Sequence, residues 1–540
     1  MTKKWFGLIA LVIFAFSIML AGCAQSNSSQ ASDKSGKNEE EKKDELVLSV
    51  EGEPDTGFDP TTGWGRYGSP LFQSTLLKRD DELNIVNDIA KSYEVSEDGK
   101  VWTVILRDDV KFSDGKPLTA NDVKFTFETA LNNGSVIDFN VLEKVEVVND
   151  TTVKFTLKEA QSTFINSLVA TGIVPKHAYG KDYAENPIGS GPYQLVQWDK
   201  GQQLIVKANP TYYDKKPYFQ KITFLFLSED ATFAAAQAGE VDVAAIPASF
   251  SKKQIPGMRL EAVKSVDNRG IVFPYVKSGD MTEEGLPIGN DVTADPAIRH
   301  AINIAVDRQA LIDGVLEGYG SKAYTSVDNL PWWNPEAVFE DADVDGAKTL
   351  LKDSGWKDAD GDGILEKGSL KAEFSLYYPA EDAIRQSLAI AVADMIKPLG
   401  ISIKVEGASW DTIEQKMHSN AVLMGWGSHD PHEMYSVYSS KYAGIDYYNT
   451  GFYKNKKVDE YFEKALTATD SKEAMEYWKK AQWDGMTGLS AKGDTPWAWL
   501  VNIDHLYLVK EGLDIGKQRI QPHGHGWPVT NNIEEWKWTE

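Results

Sequence analysis

A single cysteine, Cys23, serves all 540 residues, so no disulfide can brace this chain. Its fold must stand on hydrophobic burial and hydrogen bonding, and a metal site built from several thiolates is excluded along with the disulfides. The length exceeds what one core supports and predicts two or three domains. A formal charge of −24 argues against nucleic-acid binding, which needs a basic face. The 16 Trp, 22 Tyr and 21 Phe are many for so polar a chain. Most should be core, and a surplus would suit a concave ligand site.

At the N-terminus, Lys3 and Lys4 precede an apolar run from Trp5 to Leu20, which closes on Leu20-Ala21-Gly22-Cys23. A charged start, a short apolar core and small residues before a cut make a secretory signal. The run is shorter than the ~20 residues that span a bilayer, against a retained transmembrane helix. The pattern resembles the lipobox of bacterial lipoproteins. That implies a signal peptide over residues 1–22, lipidation at Cys23 and a membrane-tethered, extracytoplasmic protein. Residues 24–45 are Ser, Asn, Gln, Lys and Glu without apolar periodicity, so 23–45 reads as a lipid-anchored, disordered linker.

Order is expected from residue 46. Alternating β-branched and aromatic stretches predict strands over residues 46–50, 102–106, 152–157 and 204–207. Thr119 and Ser228 are placed to cap helices over 123–128 and 231–238, and Asp295-Pro296 to start one carrying Ile298, Ala301, Ile302 and Ala305. Further helices are expected over 345–351, 383–396 and 473–483, with strands over 372–378, 401–405 and 497–509. Helix 383–396, a stop at Gly400 and the strand after it form an αβ unit, so the fold class is α/β.

Several stretches occur in one order: residues 89–127, with Phe112-Ser113-Asp114-Gly115-Lys116-Pro117-Leu118-Thr119; Ile173-Val174-Pro175-Lys176-His177; Ile188-Gly189-Ser190-Gly191-Pro192-Tyr193; Gly239-Glu240-Val241-Asp242; and Ile298-Arg299-His300-Ala301-Ile302-Asn303-Ile304-Ala305-Val306-Asp307-Arg308. Together they resemble the large solute-binding proteins of bacterial ABC importers, the peptide/nickel family. The motifs themselves read as fold-building. The resemblance implies a two-lobed, periplasmic-binding-protein-like fold (large, type II), with lobe I over 46–270 plus 501–540, lobe II over 271–500, and a hinge that closes on ligand. It also implies a monomer, no catalysis, no resident cofactor, and an ABC permease with its ATPase subunits as partners.

The ligand region is expected at Gly425-Trp426-Gly427-Ser428-His429-Asp430-Pro431-His432-Glu433, after the apolar run 421–424. In the family's nickel-binding branch an Asp-Pro-His tripeptide supplies a metal-ligating histidine, and His432 matches it. In the peptide branch an acidic residue takes the peptide ammonium, a role open to Asp430 or Glu433. A second loop carries His523 and His525. Nickel(II) favours imidazole and accepts oxygen, so His429, His432, His523 and His525 are candidates to hold nickel already carried by a small chelator. The alternative ligand is a di- or oligopeptide. Arg385 is a candidate fork for a carboxylate, or else a surface ion-pair partner of Glu381 or Asp382. Trp64, Tyr67, Trp410 and Trp426 are candidate aromatic walls, or else core. His177, His300, His418 and His505 sit in structural motifs.

Asp358-Ala359-Asp360-Gly361-Asp362-Gly363 copies the start of an EF-hand loop, but the twelfth position is Ser369 rather than Glu, and it reads as a solvated turn. No Gly-x-Ser-x-Gly elbow, His-Glu-x-x-His helix or phosphate loop is present, which disfavours a hydrolase.

Overall fold

The computed structural model describes residues 44–539 apart from Glu51, Asp55 and His525. The expected signal, the anchor at Cys23 and nearly all of the linker therefore lie outside the described residues. No helix among the described residues is long and apolar enough to cross a membrane.

Three sheets carry the fold. The first has seven strands in the order Met258–Val263, His505–Lys510, Val243–Ile246, Glu45–Ser49, Lys221–Leu225, Gln203–Ala208 and Tyr193–Asp199. The second has six, in the order Gly320–Lys322, Trp497–Ile503, Asn268–Val272, Ala421–Met424, Glu373–Pro379 and Ser402–Ala408. A four-stranded antiparallel sheet holds Ala90–Val95, Val101–Leu106, Thr152–Leu157 and Leu142–Asn149. Its strands bury one face only: Trp102, Val104 and Leu106 point inward along one strand, Val153, Phe155 and Leu157 along the next. Helix Ala120–Asn132 covers that face, started by a capping box between Thr119 and Asp122.

The strand expected over 497–509 is two strands. Trp497–Ile503, buried throughout, belongs to the second sheet, and after Asp504 the chain enters the first as His505–Lys510. Residues 263–268 make the same passage in the opposite direction, from Met258–Val263 to Asn268–Val272. The two passages lie side by side. Ser265 Oγ bonds the carbonyl of Ile503, Ile503 N donates to Asp267 O, and His505 Nε2 lies 3.3 Å from Asp267 Oδ2. Burial opposes ionisation of Asp267, but the Arg269 guanidinium and neighbouring imidazoles outweigh it and hold the carboxyl well below its usual range.

The shared motifs are architectural. Arg308 is fully buried, donating to the carbonyls of Ala323, Trp499 and Asn303 and to Asn303 Oδ1, with Asp341 3.5 Å away. It ties a helix end to strand Trp497–Ile503 of the second sheet. Gly189 and Gly191 lie so close to the Leu71–Phe72 backbone that a Cβ at either would stand 2.0 and 2.4 Å from a carbonyl oxygen. Glu373–Pro379, helix Ala383–Ile396 and the parallel strand Ser402–Ala408 form the expected αβ unit, with Gly400 in the left-handed conformation at the helix stop.

Candidate functional site

Strand Ala421–Met424 is buried along its length, and the loop that leaves it is pressed against the 263–268 passage. A Cβ on Gly425 would lie 2.2 Å from Asn268 O, and one on Gly427 2.5 Å from Val266 O. Glycine is the residue that fits at both positions. Asp430, Pro431 and His432 start helix Pro431–Tyr438: Asp430 caps it by accepting from His432 N at 2.9 Å, Pro431 occupies the first turn, and His432 follows. Asp430 is thus a helix cap, and its Oδ1 also accepts from Asn166 Nδ2 at 3.0 Å.

This helix start forms one wall of a cavity of about 980 Å³. Residues 65–79, 135–140, 161–170 and 441–448 contribute further wall, as do Arg519, His523, Asn531 and Glu534. Tyr67, Trp426, Tyr435, Tyr442 and Tyr448 supply aromatic surface, with Trp426 stacked on Tyr448 at 5.2 Å. Contacts join the walls. Arg79 Nη2 donates to His429 O at 2.6 Å, Ser162 Oγ to Ala465 O at 2.8 Å, and Tyr442 OH to Asp138 Oδ2 at 3.3 Å.

Within the cavity several polar groups lack partners. His432 makes no hydrogen bond through either ring nitrogen, and its Nε2 lies 3.8 Å from Asp138 Oδ2. The imidazole beside it holds the Asp138 carboxyl below its usual range. Glu433 Oε1 accepts from Gly427 N and Ser428 N at 2.9 and 2.8 Å, while Oε2 is buried without a partner. Burial, only partly offset by Arg66, pushes the Glu433 carboxyl up to about 7. Arg79 donates to the backbone carbonyls of Leu83 and His429 and to Asn166 Oδ1, and Arg519 to the backbone carbonyl of Arg79. Neither guanidinium has a carboxylate within ion-pairing distance among the described residues. Burial lowers the pKa of both, that of Arg519 to about 10.

The histidines separate into different settings. His429 is held well below its usual range by burial and by the Arg79 and Arg519 charges, so a metal ion at its ring would meet two guanidinium groups. His523 donates from its backbone N to Gly427 O at 2.7 Å, and its ring lies 6.0 Å from that of Tyr67. His525 lies outside the described residues. Among the described residues, no three His, Asp or Glu ligand atoms converge in the cavity. The one such group is Asp358, Asp360, Asp362 and Glu366, in the solvated turn, where Lys371 Nζ lies 2.6 Å from Asp362 and 3.3 Å from Asp360. An ammonium already sits among these carboxylates.

The model of the bacterial extracellular solute-binding proteins, family 5, matches residues 84–448, which takes in both the four-stranded sheet and the His432 helix. The chain belongs to that family. Its members are the substrate-binding, non-enzymatic components of ABC importers and work outside the cytoplasm with a permease and ATPase. Protein XP55 of Streptomyces lividans is 34% identical over 487 residues, covering 87% of this chain and 85% of that protein. The oligopeptide-binding protein AppA of Bacillus subtilis is 30% identical over 494 residues, covering 86% and 88%, and its structure with a nonapeptide matches with a TM-score of 0.71. NikZ of Campylobacter jejuni, solved with Ni(L-His), matches at 27% identity and a TM-score of 0.77, covering 92% of this chain and 99% of that one.

Three residues expected in the ligand site of this family 5 protein stand elsewhere. Trp64 is core: it packs edge-on to Phe58 and Trp527 and donates from Nε1 to Pro70 O at 2.7 Å. Arg385 is bonded to Asp382, the cap of its own helix, and does not line the cavity. Trp410 also stays off the wall, packed on Tyr447 with the Arg385 guanidinium 6.0 Å from its ring. Tyr67, Trp426, His429, Asp430, His432 and His523 do line it. Sequence reasoning missed Arg66, Arg79, Asn166, Arg519, Asn531 and Glu534. Arg66 sat in plain view in the Gly-Trp-Gly-Arg-Tyr-Gly stretch, whereas nothing local marks the other five.

Proposed function

We propose that this solute-binding protein captures a transition-metal ion, nickel(II) foremost, already wrapped in a small carboxylate-bearing chelator, and delivers it to the importer's permease. The observation that carries this reading is His432: an imidazole on a cavity wall with neither ring nitrogen hydrogen-bonded. Buried polar groups left without partners are costly, and a bound ligand can supply the missing partner. Nickel(II) favours imidazole nitrogen. Because three protein ligands do not converge, most of the coordination sphere must come from the chelator. Arg79 and Arg519, bonded only to carbonyls, offer charge to its carboxylates. NikZ, whose structure holds Ni(L-His), supports the same reading.

In this proposal lobe I (46–270 with 501–540) and lobe II (271–500) close about the paired passages at 263–268 and Asp504, and lipidated Cys23 tethers the protein. Isothermal calorimetry with nickel plus free histidine tests it. Micromolar or tighter binding is expected, with large loss in His432→Ala. Affinity unchanged in a combined His432→Ala, His523→Ala, His525→Ala variant would sink it.

A second reading, a short peptide, is favoured by the partnerless Oε2 of Glu433, an acceptor suited to a peptide ammonium. The likeness to AppA, an oligopeptide-binding protein, points the same way. A mixed di- to nonapeptide library in the same calorimeter separates the two.

A further inference from the structure

The wall built by residues 65–79 and 519–534 has a station of its own, distinct from the His432 helix. Asn531 lines the cavity, and both ends of its amide, Nδ2 and Oδ1, are buried without a hydrogen-bond partner. The Oδ1 lies 3.7 Å from where a Gly68 side chain would begin, so the amide stands beside the loop that carries Arg66 and Tyr67. Gln73 Oε1 and Arg519 Nε, on the same cavity, are likewise buried and partnerless. Glu534, three residues on, completes this wall, and burial pushes its carboxyl up to about 7. Two acceptors and two donors are thus withheld from the protein's own hydrogen-bonding at one cavity.

A carboxamide offers a donor and an acceptor side by side in one plane. Its complement is a group that presents an N–H next to a carboxylate or carbonyl oxygen. An α-amino acid has that pairing, as does a peptide unit. A polycarboxylate chelator with tertiary amines offers acceptors only, and would leave Asn531 Oδ1 and Gln73 Oε1 desolvated and unpaired. Sites built around hydrogen bonds reject ligands that lack them far more strongly than apolar pockets reject a misfit.

We propose that Asn531 is a specificity residue: it takes the N–H and an adjacent carboxylate or carbonyl oxygen of an amino-acid-type group, and so selects amino-acid chelates over polycarboxylate chelates. This rests on the cavity being the cargo site for a chelate, and His432 is kept as the separate test of that reading.

The experiment is calorimetry on untagged full-length protein with two nickel probes, nickel with L-histidine and nickel with nitrilotriacetate, and with a tripeptide, using wild type, Asn531→Ala, Asn531→Asp and His432→Ala. Wild type should prefer the histidine complex. Asn531→Ala should weaken that complex tenfold or more and change nitrilotriacetate binding less than twofold. Asn531→Asp, which loses the donor, should weaken the histidine complex as well. The ligand-free melting temperature should stay unchanged in Asn531→Ala, because no internal hydrogen bond is removed, and this keeps a folding defect from imitating the result. Equal loss for both probes, or no loss for either, overturns the role of Asn531; the latter is what an amide satisfied by trapped water would give. Unchanged nickel binding in His432→Ala overturns the metal contact and leaves the Asn531 contrast standing. If wild type takes a tripeptide and neither nickel complex, the chelate reading falls, and a tenfold loss of tripeptide affinity in Asn531→Ala is then required. Wild type that takes none of the three overturns both proposals.

Discussion

Replacing Glu433 with Gln should stabilise the protein at alkaline pH and leave it unchanged in acid. Glu433 has one oxygen bonded to two backbone N–H groups and the other buried without a partner, and burial pushes its carboxyl from 4.5 up to about 7. Below pH 4.5 the group is protonated both folded and unfolded and contributes nothing to pH dependence. Between 4.5 and 7 the unfolded chain gives up its proton while the folded chain keeps it, so folding is progressively penalised. Above 7 both states are ionised and the penalty is constant. At 1.36 kcal/mol per unit, the cost approaches about 3 kcal/mol. Glutamine keeps the Oε1 acceptor and removes the charge. Urea denaturation at intervals from pH 4 to 8.5 should give coincident midpoints for the two proteins at pH 4, a gap opening through pH 5–7, and a plateau beyond. A gap that is flat with pH, or of opposite sign, would refute the assignment of a desolvated carboxyl at this position.

Arg308→Met should cost about 3–5 kcal/mol of stability by removing the donor to four buried oxygens, while Asp341 keeps Lys322 at 2.8 Å; a midpoint shift in urea below about 1 kcal/mol would show that the arginine is dispensable. Calcium at 1 mM should not move the melting temperature, since the Lys371 ammonium already lies among Asp360, Asp362 and Glu366; a calcium-dependent rise would contradict this. Trp426, whose buried Nε1 has no partner on the cavity wall, should report cargo by a change in fluorescence that Trp426→Phe abolishes; an undiminished signal would place the reporter at another tryptophan.

How much of this was legible beforehand divides along physical lines. Elements announced by local chemistry were readable: the Thr119 capping box, the Ser228 and Asp295 caps and the Gly400 stop all stand where short-range rules put them. The turn of chain at Asp504 was not. Residues 497–509 are uniformly strand-like, and periodicity says nothing about which sheet a strand joins. The same limit governs the site. His432 was readable through the family resemblance of Asp-Pro-His, whereas the helix that these residues start was not expected. Arg79, Asn166 and Arg519 are brought to the cavity by packing across hundreds of residues, and no window of sequence contains that information. Trp64 and Arg385 stayed open between site and structure for a related reason: an aromatic or a guanidinium looks the same in sequence whether it faces a cavity, a core or its own helix cap.

The contacts between the cavity walls bear on how cargo and closure are coupled. Arg79 bonds the His429 carbonyl, Asn166 bonds Asp430, and Asp138 lies against both His432 and Tyr442. Each of these pairs sets a residue of the 79–166 region against one on or beside the helix that carries His432. Were the walls to part, Asp430 would lose Asn166 and His432 would lose Asp138, so the groups proposed to meet cargo are the ones whose surroundings depend on closure. A ligand can shift such an equilibrium only by binding the closed arrangement more tightly than the open one. In the proposed function His432 would supply that difference, because the metal contact and the contact 3.8 Å from Asp138 would share one side chain.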